Sequence, residues 1–206
     1  LSVRGRQGAT AFYPLVENLH QGGVLRLSFA PAPGLTVDLQ ARAADYSRRV
    51  LEALGYVGVL AVEFFQRGDE LLANEMAPRV HNSGHWTIEG AETSQFENHL
   101  RAVLGLPLGE TTLTGFSAMV NLIGTTPPVE AVLGMPGAHL HLYGKAPRPG
   151  RKLGHVTVHA PDAESLRLRL ARLRTLDESL AWEDGPSAAA AGAGPAAEVR
   201  SGAGPS

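Results

Sequence analysis

The sequence contains no cysteine among its 206 residues. Disulfide bonds, thiolate metal sites and a cysteine nucleophile are therefore excluded for this chain. It also lacks any run of about 18 apolar residues and any charged-then-apolar leader, so it predicts neither a membrane span nor a signal peptide. These absences favour a cytoplasmic protein with no membrane partner.

Charged residues are scarce, at 18% of the chain, and the formal net charge is −2. This balance argues against a general binder of nucleic acid or of anionic membranes, because both need an excess of Lys and Arg. Any basic site must therefore be local. Apolar residues make up 44%, which is typical of a globular protein with enough core for one mid-sized domain or two small ones.

Two common catalytic motifs are also absent, the GxxxxGK phosphate loop and the HExxH zinc site. His81 and His85 lie four positions apart, but Asn82–Gly84 between them favours a turn over a helix. Zinc is therefore disfavoured, and contacts with an anion or a substrate are favoured. His139 and His141 share one face of a predicted strand, where a structural role is expected.

Short apolar runs predict strands, and apolar residues at helical spacing predict helices. The predicted strands cover residues 11–14, 24–30, 56–65, 70–75, 117–124, 138–144 and 153–160, and the predicted helices cover residues 38–54, 95–104 and 162–176. Thr93 or Ser94 can cap the second helix, which Gly105 ends.

Composition divides the chain into three parts. A loop near residue 108 separates a first unit, residues 1–108, from a smaller one, residues 109–184. From Ser187 onward 17 of 20 residues are Ala, Gly, Ser or Pro, so residues 185–206 are predicted to be disordered. The chain begins at Leu1 rather than methionine, in what reads as a strand, so we expect it to be part of a longer protein.

Two carboxylates stand on neighbouring predicted strands. Glu63 interrupts the most apolar strand, and burying an ionised carboxylate costs several kcal/mol unless a cation or hydrogen-bond donors compensate. Glu75 ends the next strand. If the turn between them has three residues, 67–69, the two side chains share a face on a diagonal of about 7 Å. A two-residue turn would place them on opposite faces.

Carboxylates held that close repel each other unless a hard cation lies between them. Mg²⁺ is bound by one or two carboxylates, with water and phosphate oxygens completing its coordination. This interpretation predicts a metal–nucleotide site at Glu63 and Glu75. In the alternative, Glu63 pairs with an arginine and Glu75 is exposed at the end of its strand. Spacing alone leaves both open.

A basic loop follows later in the chain, in the string YGKAPRPGRKLGH, residues 143–155. Its proline and glycine residues prevent a helix, so the cations stand on a stiff loop that loses little entropy when it binds a phosphate. Arginine offers a bidentate fork and lysine a point charge. The alternative is a solvated charged loop. The four cations are Lys145, Arg148, Arg151 and Lys152.

Several of these strings together resemble the N5-carboxyaminoimidazole ribonucleotide synthetase family of ATP-grasp ligases. The strings are GYVGVLAVEFF, NEMAPRVHNSGHWTIEGAETSQFENHLRAVLGLPLG, YGKAPRPGRKLGHVTV and AFYPLVENLHQGGVLRLSFAPA, and the match covers roughly residues 1–160. The resemblance implies an α+β fold, with the C-terminal half of an ATP-grasp domain (an antiparallel sheet with helices) followed by a small β-rich C-terminal domain.

The resemblance also implies a reaction and its participants. ATP phosphorylates bicarbonate to carboxyphosphate, and the exocyclic amine of aminoimidazole ribonucleotide captures the carboxyl group. The implied cofactors are ATP and Mg²⁺, and the implied assembly is a homodimer. Matching residues assign Glu63 and Glu75 to the metal, and His20, Asn74 and Glu75 to the nucleotide. They assign Arg79, His81, Asn82, Ser83 and His85 to the bicarbonate and carboxyphosphate pocket, and Lys145, Arg148, Arg151 and Lys152 to the ribonucleotide 5′-phosphate.

The sequence departs from the family pattern in one respect. The family places an N-terminal α/β domain, a glycine-rich lid and the adenine contacts before the point where this chain starts. We therefore expect the isolated chain to be inactive. The alternatives are another ATP-grasp carboxylase or ligase, or a truncated non-catalytic remnant.

Overall fold

The computed structural model describes residues 1–177, 180 and 182. The predicted disordered tail, residues 185–206, lies outside them. In the described part, no helix is both long enough and apolar enough to cross a membrane. The strands are β1 Ser2–Arg4, β2 Thr10–Phe12, β3 Glu17–Gln21, β4 Val24–Ala30, β5 Gly58–Arg67, β6 Glu70–Ala77, β7 Phe116–Ile123, β8 Ala138–Leu142 and β9 Lys152–Ala160. The helices are α1 Val37–Ala53, α2 Thr87–Gly90, α3 Gln95–Leu104, α4 Val129–Leu133 and α5 Ala163–Arg174.

One sheet has four strands in the order β2-β1-β5-β6, and its described pairs are antiparallel. Helices α1 and α3 pack against it, with the Tyr46 ring of α1 6.1 Å from the Phe64 ring of β5. Helix α3 begins after Ser94, whose hydroxyl accepts a hydrogen bond from the Glu97 N–H. It ends at Gly105, which has a φ of 76°. Both ends of this helix are as predicted.

The other sheet has five antiparallel strands in the order β3-β4-β7-β9-β8. One face carries Val120, Val156 and Leu27, which form a buried core with Leu166 and Leu173 of α5. Burying these side chains against the sheet is the main stabilising contribution on this side of the molecule. The residues between them, such as His155, therefore point to the other face, because side chains alternate along a strand.

This second face is mixed in character and is covered by the segment 81–91. Asn121, His155 and Thr157 are at most 3% exposed there, and the fully buried ring of Trp86 packs in a cluster with Leu25 and Met119. A 3-10 turn at Asn82–Gly84 and the single turn of α2 hold the covering segment against β4, β7 and β9. The two sheets and this segment together position the side chains considered below.

The antiparallel sheets and their helices confirm the predicted α+β class. The five-stranded sheet joins strands from both sides of the predicted boundary at residue 108, since β4 pairs with β7 over Leu27↔Val120 to Ala30↔Ser117. The first and second units therefore share a sheet, and the division at residue 108 stays a prediction.

Candidate active site

Glu63 and Glu75 face each other directly across the hairpin of β5 and β6. The turn has two residues, because Arg67 pairs with Glu70, so the three-residue turn that the shared face was expected to require is not formed. A β-bulge corrects the register: Phe64 pairs with Ala73, whereas Glu63 pairs with Glu75, and one extra residue lies between them. A bulge shifts the alternation by one. The predicted shared face is therefore confirmed, but as a direct cross-strand pair and not a diagonal.

His81 joins the two carboxylates from the segment that follows β6. A carboxylate oxygen of Glu63, a carboxylate oxygen of Glu75 and a ring nitrogen of His81 all lie within 4.8 Å of one another. The Nε2 atom of His81 is 3.9 Å from Oε1 of Glu63, and both side chains are largely buried. Among the described residues no arginine lies within 4.0 Å of Glu63, so the alternative of a Glu63–arginine pair is not realised. Two carboxylates at this spacing fit a hard divalent cation.

The ring of His81 is fixed by its own turn. The Ser83 hydroxyl lies 2.9 Å from Nδ1, and the Ser83 N–H donates to the same atom at 3.4 Å. Burial lowers the pKa of His81; Glu63 opposes this shift, Arg79 adds to it and Glu75 opposes it. The imidazole is therefore neutral near pH 7. Because Nδ1 accepts from the Ser83 N–H, the neutral ring carries its proton on Nε2, the atom that faces the Glu63 carboxylate.

The carboxylates line an open cleft of about 800 Å³ between the two sheets. Most residues assigned to the nucleotide, the metal and the carboxyl pocket line it together. These are His20, Glu63, Asn74, Glu75, His81, Asn82 and Ser83. Arg79 and His85, which were grouped with them, do not line this cleft.

Arg79 lies in the segment after β6, two residues before His81. Its side chain is exposed, and Nη1 donates to the Val80 carbonyl at 3.0 Å. Its charge contributes to lowering the pKa of both His81 and Lys152. An exposed guanidinium two residues from His81 can hold an anion at this end of the cleft.

The basic loop connects β8 to β9. Lys145 and Arg148 are exposed, whereas Arg151 and Lys152 are partly buried. Burial is the main cause that lowers the pKa of Lys152 to about 8, and the charges of Lys145 and Arg79 lower it further. Such mutual repulsion among cations is relieved when an anion binds between them. Four cations on one loop stiffened by proline can bind a phosphate.

Three histidine rings stack behind the two loops. The ring centroids of His85 and His155 are 4.8 Å apart, and those of His155 and His141 are 4.4 Å apart with an interplanar angle of 10°. Burial lowers the pKa of His85 to about 4 and that of His155 to about 3, and Lys152 contributes to both shifts. These two rings are therefore neutral at pH 7. His141 contacts Glu89 at 2.7 Å.

Gln95 is the functional-site residue that the sequence did not reveal. Its side chain is fully buried, and its amide accepts from the His81 N–H at 2.9 Å and donates to the His81 carbonyl at 2.7 Å. Its Nε2 atom also lies 3.1 Å from Nδ1 of His85. In the sequence, a glutamine in the first turn of an amphipathic helix looks the same whether it bonds buried groups, as Gln95 does, or faces water.

Gly84 leaves room for that amide. A Cβ at this position would lie 2.6 Å from Oε1 of Gln95 and 2.3 Å from Cδ1 of Leu1. We expect Gly84→Ala to lower the free energy of unfolding by about 1–3 kcal/mol, because overpacking forces both neighbours to move. Urea denaturation measures this. Gly5→Ala is the matched control, since its Cβ would meet nothing closer than 3.9 Å. Equal stability of the two variants would contradict the packing argument.

Comparison with known proteins gives two family matches. Residues 1–96 match the ATP-grasp domain, and residues 117–169 match the phosphoribosylaminoimidazole carboxylase C-terminal domain. With the paired carboxylates on an antiparallel hairpin, these matches define an ATP-grasp protein.

Similar proteins indicate which group of ATP-grasp proteins this chain resembles. The N5-carboxyaminoimidazole ribonucleotide synthase of Pseudomonas aeruginosa is 57% identical over 179 residues, which is 87% of this chain and 49% of the relative. A crystal structure of the synthetase from Thermus thermophilus is 68% identical with a TM-score of 0.86, over 88% of this chain and 51% of that one. The Aspergillus clavatus enzyme, in complex with ADP and 5-aminoimidazole ribonucleotide, is 35% identical with a TM-score of 0.78, over 85% and 50%.

The chain belongs to the N5-carboxyaminoimidazole ribonucleotide synthases and corresponds to their C-terminal portion. It spans about half the length of the curated relatives it matches. This confirms the resemblance drawn from the quoted strings.

Proposed function

We propose that this chain contributes the carboxylate and phosphate-binding sides of the active site of a ligase that carboxylates 5-aminoimidazole ribonucleotide. The products are N5-carboxyaminoimidazole ribonucleotide, ADP and phosphate. The observation that carries the proposal is the direct pairing of Glu63 with Glu75, beside His81, in a cleft that His20 and Asn74 also line.

Glu63 and Glu75 would hold Mg²⁺, and His20 and Asn74, which line the same cleft, would contact ATP. When bound, the metal would neutralise the negative charge of the ATP phosphates during phosphoryl transfer. The carboxylates in turn fix the position of the nucleotide phosphates relative to the segment 79–85. This positioning matters because phosphoryl transfer needs alignment and charge compensation more than covalent help from the protein.

Arg79, His81, Asn82, Ser83 and His85 form the segment assigned to the carboxyl group. In the reaction the amine nitrogen bonds to the carboxyl carbon of carboxyphosphate, the carbon–oxygen bond to phosphate breaks, and the amine proton leaves with the phosphate. Arg79 supplies a guanidinium for the anion, and the neutral ring of His81 adds no charge that would trap the departing phosphate. His81 and Ser83 are buried, so they limit the access of water, which would hydrolyse carboxyphosphate.

Lys145, Arg148, Arg151 and Lys152 are assigned to the 5′-phosphate of the ribonucleotide. When the loop holds the 5′-phosphate, the base of the ribonucleotide lies at a fixed distance from the loop. The loop therefore sets the position of the amine that reacts. The charge repulsion among Lys152, Lys145 and Arg79 favours an anion here over a solvated loop. The same features weigh against ATP-grasp ligases whose substrates carry no phosphate.

A complementation assay tests the proposal. The chain alone, and the chain mixed with the half of the Pseudomonas aeruginosa relative that it does not match, are assayed for ADP formation that needs both bicarbonate and aminoimidazole ribonucleotide. We expect turnover only in the mixture. Turnover by the chain alone, or a mixture that forms ADP without the ribonucleotide, would contradict it. Sedimentation of the same samples tests the homodimer that the family resemblance implies.

Binding of the phosphate should weaken as the pH rises. The pKa of Lys152 lies near 8 and below its ordinary value, so the ammonium is charged at pH 7 and loses its proton as the pH rises through 8. The phosphate monoester stays a dianion over this range. We expect the affinity for ribose 5-phosphate to fall about tenfold between pH 7 and 9, as for loss of one charged hydrogen bond.

Calorimetric titration at several pH values measures this change. Lys152→Arg is the matched control, because a guanidinium keeps its charge over the whole range. That variant should hold its affinity at pH 9. A wild-type affinity that does not change between pH 7 and 9 would exclude Lys152 from the phosphate site.

A further inference from the structure

A continuous chain of side-chain contacts runs from the basic loop to the carboxylate cluster. It starts at Tyr143, the first residue after β8, whose hydroxyl lies 2.7 Å from Nδ1 of His155. The ring of His155 packs on that of His85, and Nδ1 of His85 lies 3.1 Å from the amide of Gln95. Gln95 bonds both backbone groups of His81.

Each link in this chain depends on the one before it. Within the described residues the Tyr143 hydroxyl is the only polar partner of the His155 ring, since Nε2 is buried without one. His155 is 3% exposed, so no bulk water replaces that bond. Rotation of the ring away from Tyr143 would leave both of its nitrogens unpaired, so the Tyr143 bond restricts the ring.

The far end of the chain is equally constrained. Rotating the Gln95 amide would break its bonds to the N–H and to the carbonyl of His81 and its contact with His85. His81 in turn lies 3.9 Å from Glu63. The position of the loop residue Tyr143 and the position of His81 are therefore linked through buried, neutral groups.

From this geometry we infer that Tyr143, His155 and Gln95 are positioning residues, through which an anion bound at the basic loop fixes His81 and the segment after it. The inference rests on the proposed function, because it takes the basic loop as the phosphate site. It adds a consequence: a phosphate bound at the basic loop holds the segment assigned to the carboxyl group more tightly than its own contacts do. Tighter holding would favour formation of the water-sensitive intermediate when its acceptor is already in place.

Amide hydrogen exchange tests the inference without any need for turnover. Ribose 5-phosphate is the probe, and the reporters are the N–H of His81, bonded to Gln95, and the N–H of Ser83, bonded to His81. With saturating probe, wild-type protein should show slower exchange in the basic loop and about threefold slower exchange at residues 81–83, since exchange reports local opening. In Tyr143→Phe the loop should still be protected, but residues 81–83 should exchange as without the probe.

Tyr46→Phe is the matched control, because it removes a hydroxyl from α1, away from this chain of contacts, and should behave as wild type. Protection confined to the basic loop in wild type, or protection at 81–83 that survives in Tyr143→Phe, would overturn the inference and leave the proposed function intact. A probe that slows exchange nowhere would overturn the phosphate site, and the inference with it.

Discussion

Glu63→Gln is expected to abolish binding of Mn²⁺ in the cleft and to lower the rate of carboxylation in the complemented enzyme by about 10³-fold. The substitution keeps the shape of the side chain and removes one of two paired charges. Glutamine offers a neutral oxygen, which binds a hard divalent cation far more weakly than a carboxylate does. Since Glu63 faces Glu75 directly, no other carboxylate of the hairpin can take its place.

Electron paramagnetic resonance of free Mn²⁺ measures the binding, and ADP formation measures the rate. Glu70→Gln is the matched control, because Glu70 lies on the same hairpin, is exposed and, among the described residues, pairs only with Arg67 at the turn. That control should bind Mn²⁺ as wild type does. Retention of Mn²⁺ binding by Glu63→Gln would remove the carboxylate pair from the proposed metal site.

Arg151→Ala is expected to lower the affinity for ribose 5-phosphate and for aminoimidazole ribonucleotide by about 10- to 100-fold, the range for loss of a charged hydrogen-bond donor. Arg151 is partly buried at the end of the basic loop, where Nη1 donates to the Ala146 carbonyl at 3.4 Å. Among the described residues its other N–H groups have no hydrogen-bond partner, so they can bind an anion. Its backbone ties the loop to β7 through the Gly124 N–H, and this bond does not depend on the side chain.

Calorimetric titration with either ligand measures the loss. Arg167→Ala serves as the control, since Arg167 is exposed on α5 and pairs with Glu164. The control separates a local effect from a general loss of positive charge. If both variants lost affinity equally, the basic loop would be an electrostatic surface and not a phosphate site.

The sequence predicted the carboxylate pair for a reason that the structure corrects. Strand alternation and a three-residue turn led to a shared face, whereas the turn has two residues and the extra residue sits inside β6. A bulge is set by local backbone geometry and by the strand opposite, so the one-dimensional pattern could not locate it. The residue types alone, two carboxylates before a polar segment, led to the same metal–nucleotide chemistry that we propose from the structure.

Contacts between residues far apart in the chain could not be predicted from the sequence pattern. Nothing in the pattern indicated that β4 would pair with β7, which lies on the far side of the predicted boundary. The stack of His85 on His155 has the same origin, because the two residues are 70 positions apart and meet only when that sheet is complete. Local signals, such as the Ser94 cap and the Gly105 end of α3, were predicted correctly because they depend on neighbours in sequence.

The central claim is that this chain carries two adjacent and separable subsites, one for a metal-bound nucleotide and one for a ribonucleotide phosphate. The most direct measurement is a pair of titrations, with Mn²⁺ and with ribose 5-phosphate, on wild type, Glu63→Gln and Arg151→Ala. Each variant should lose one ligand and keep the other within about twofold, as expected for sites with independent contacts. Loss of both ligands in either variant, or of neither in both, would contradict the account.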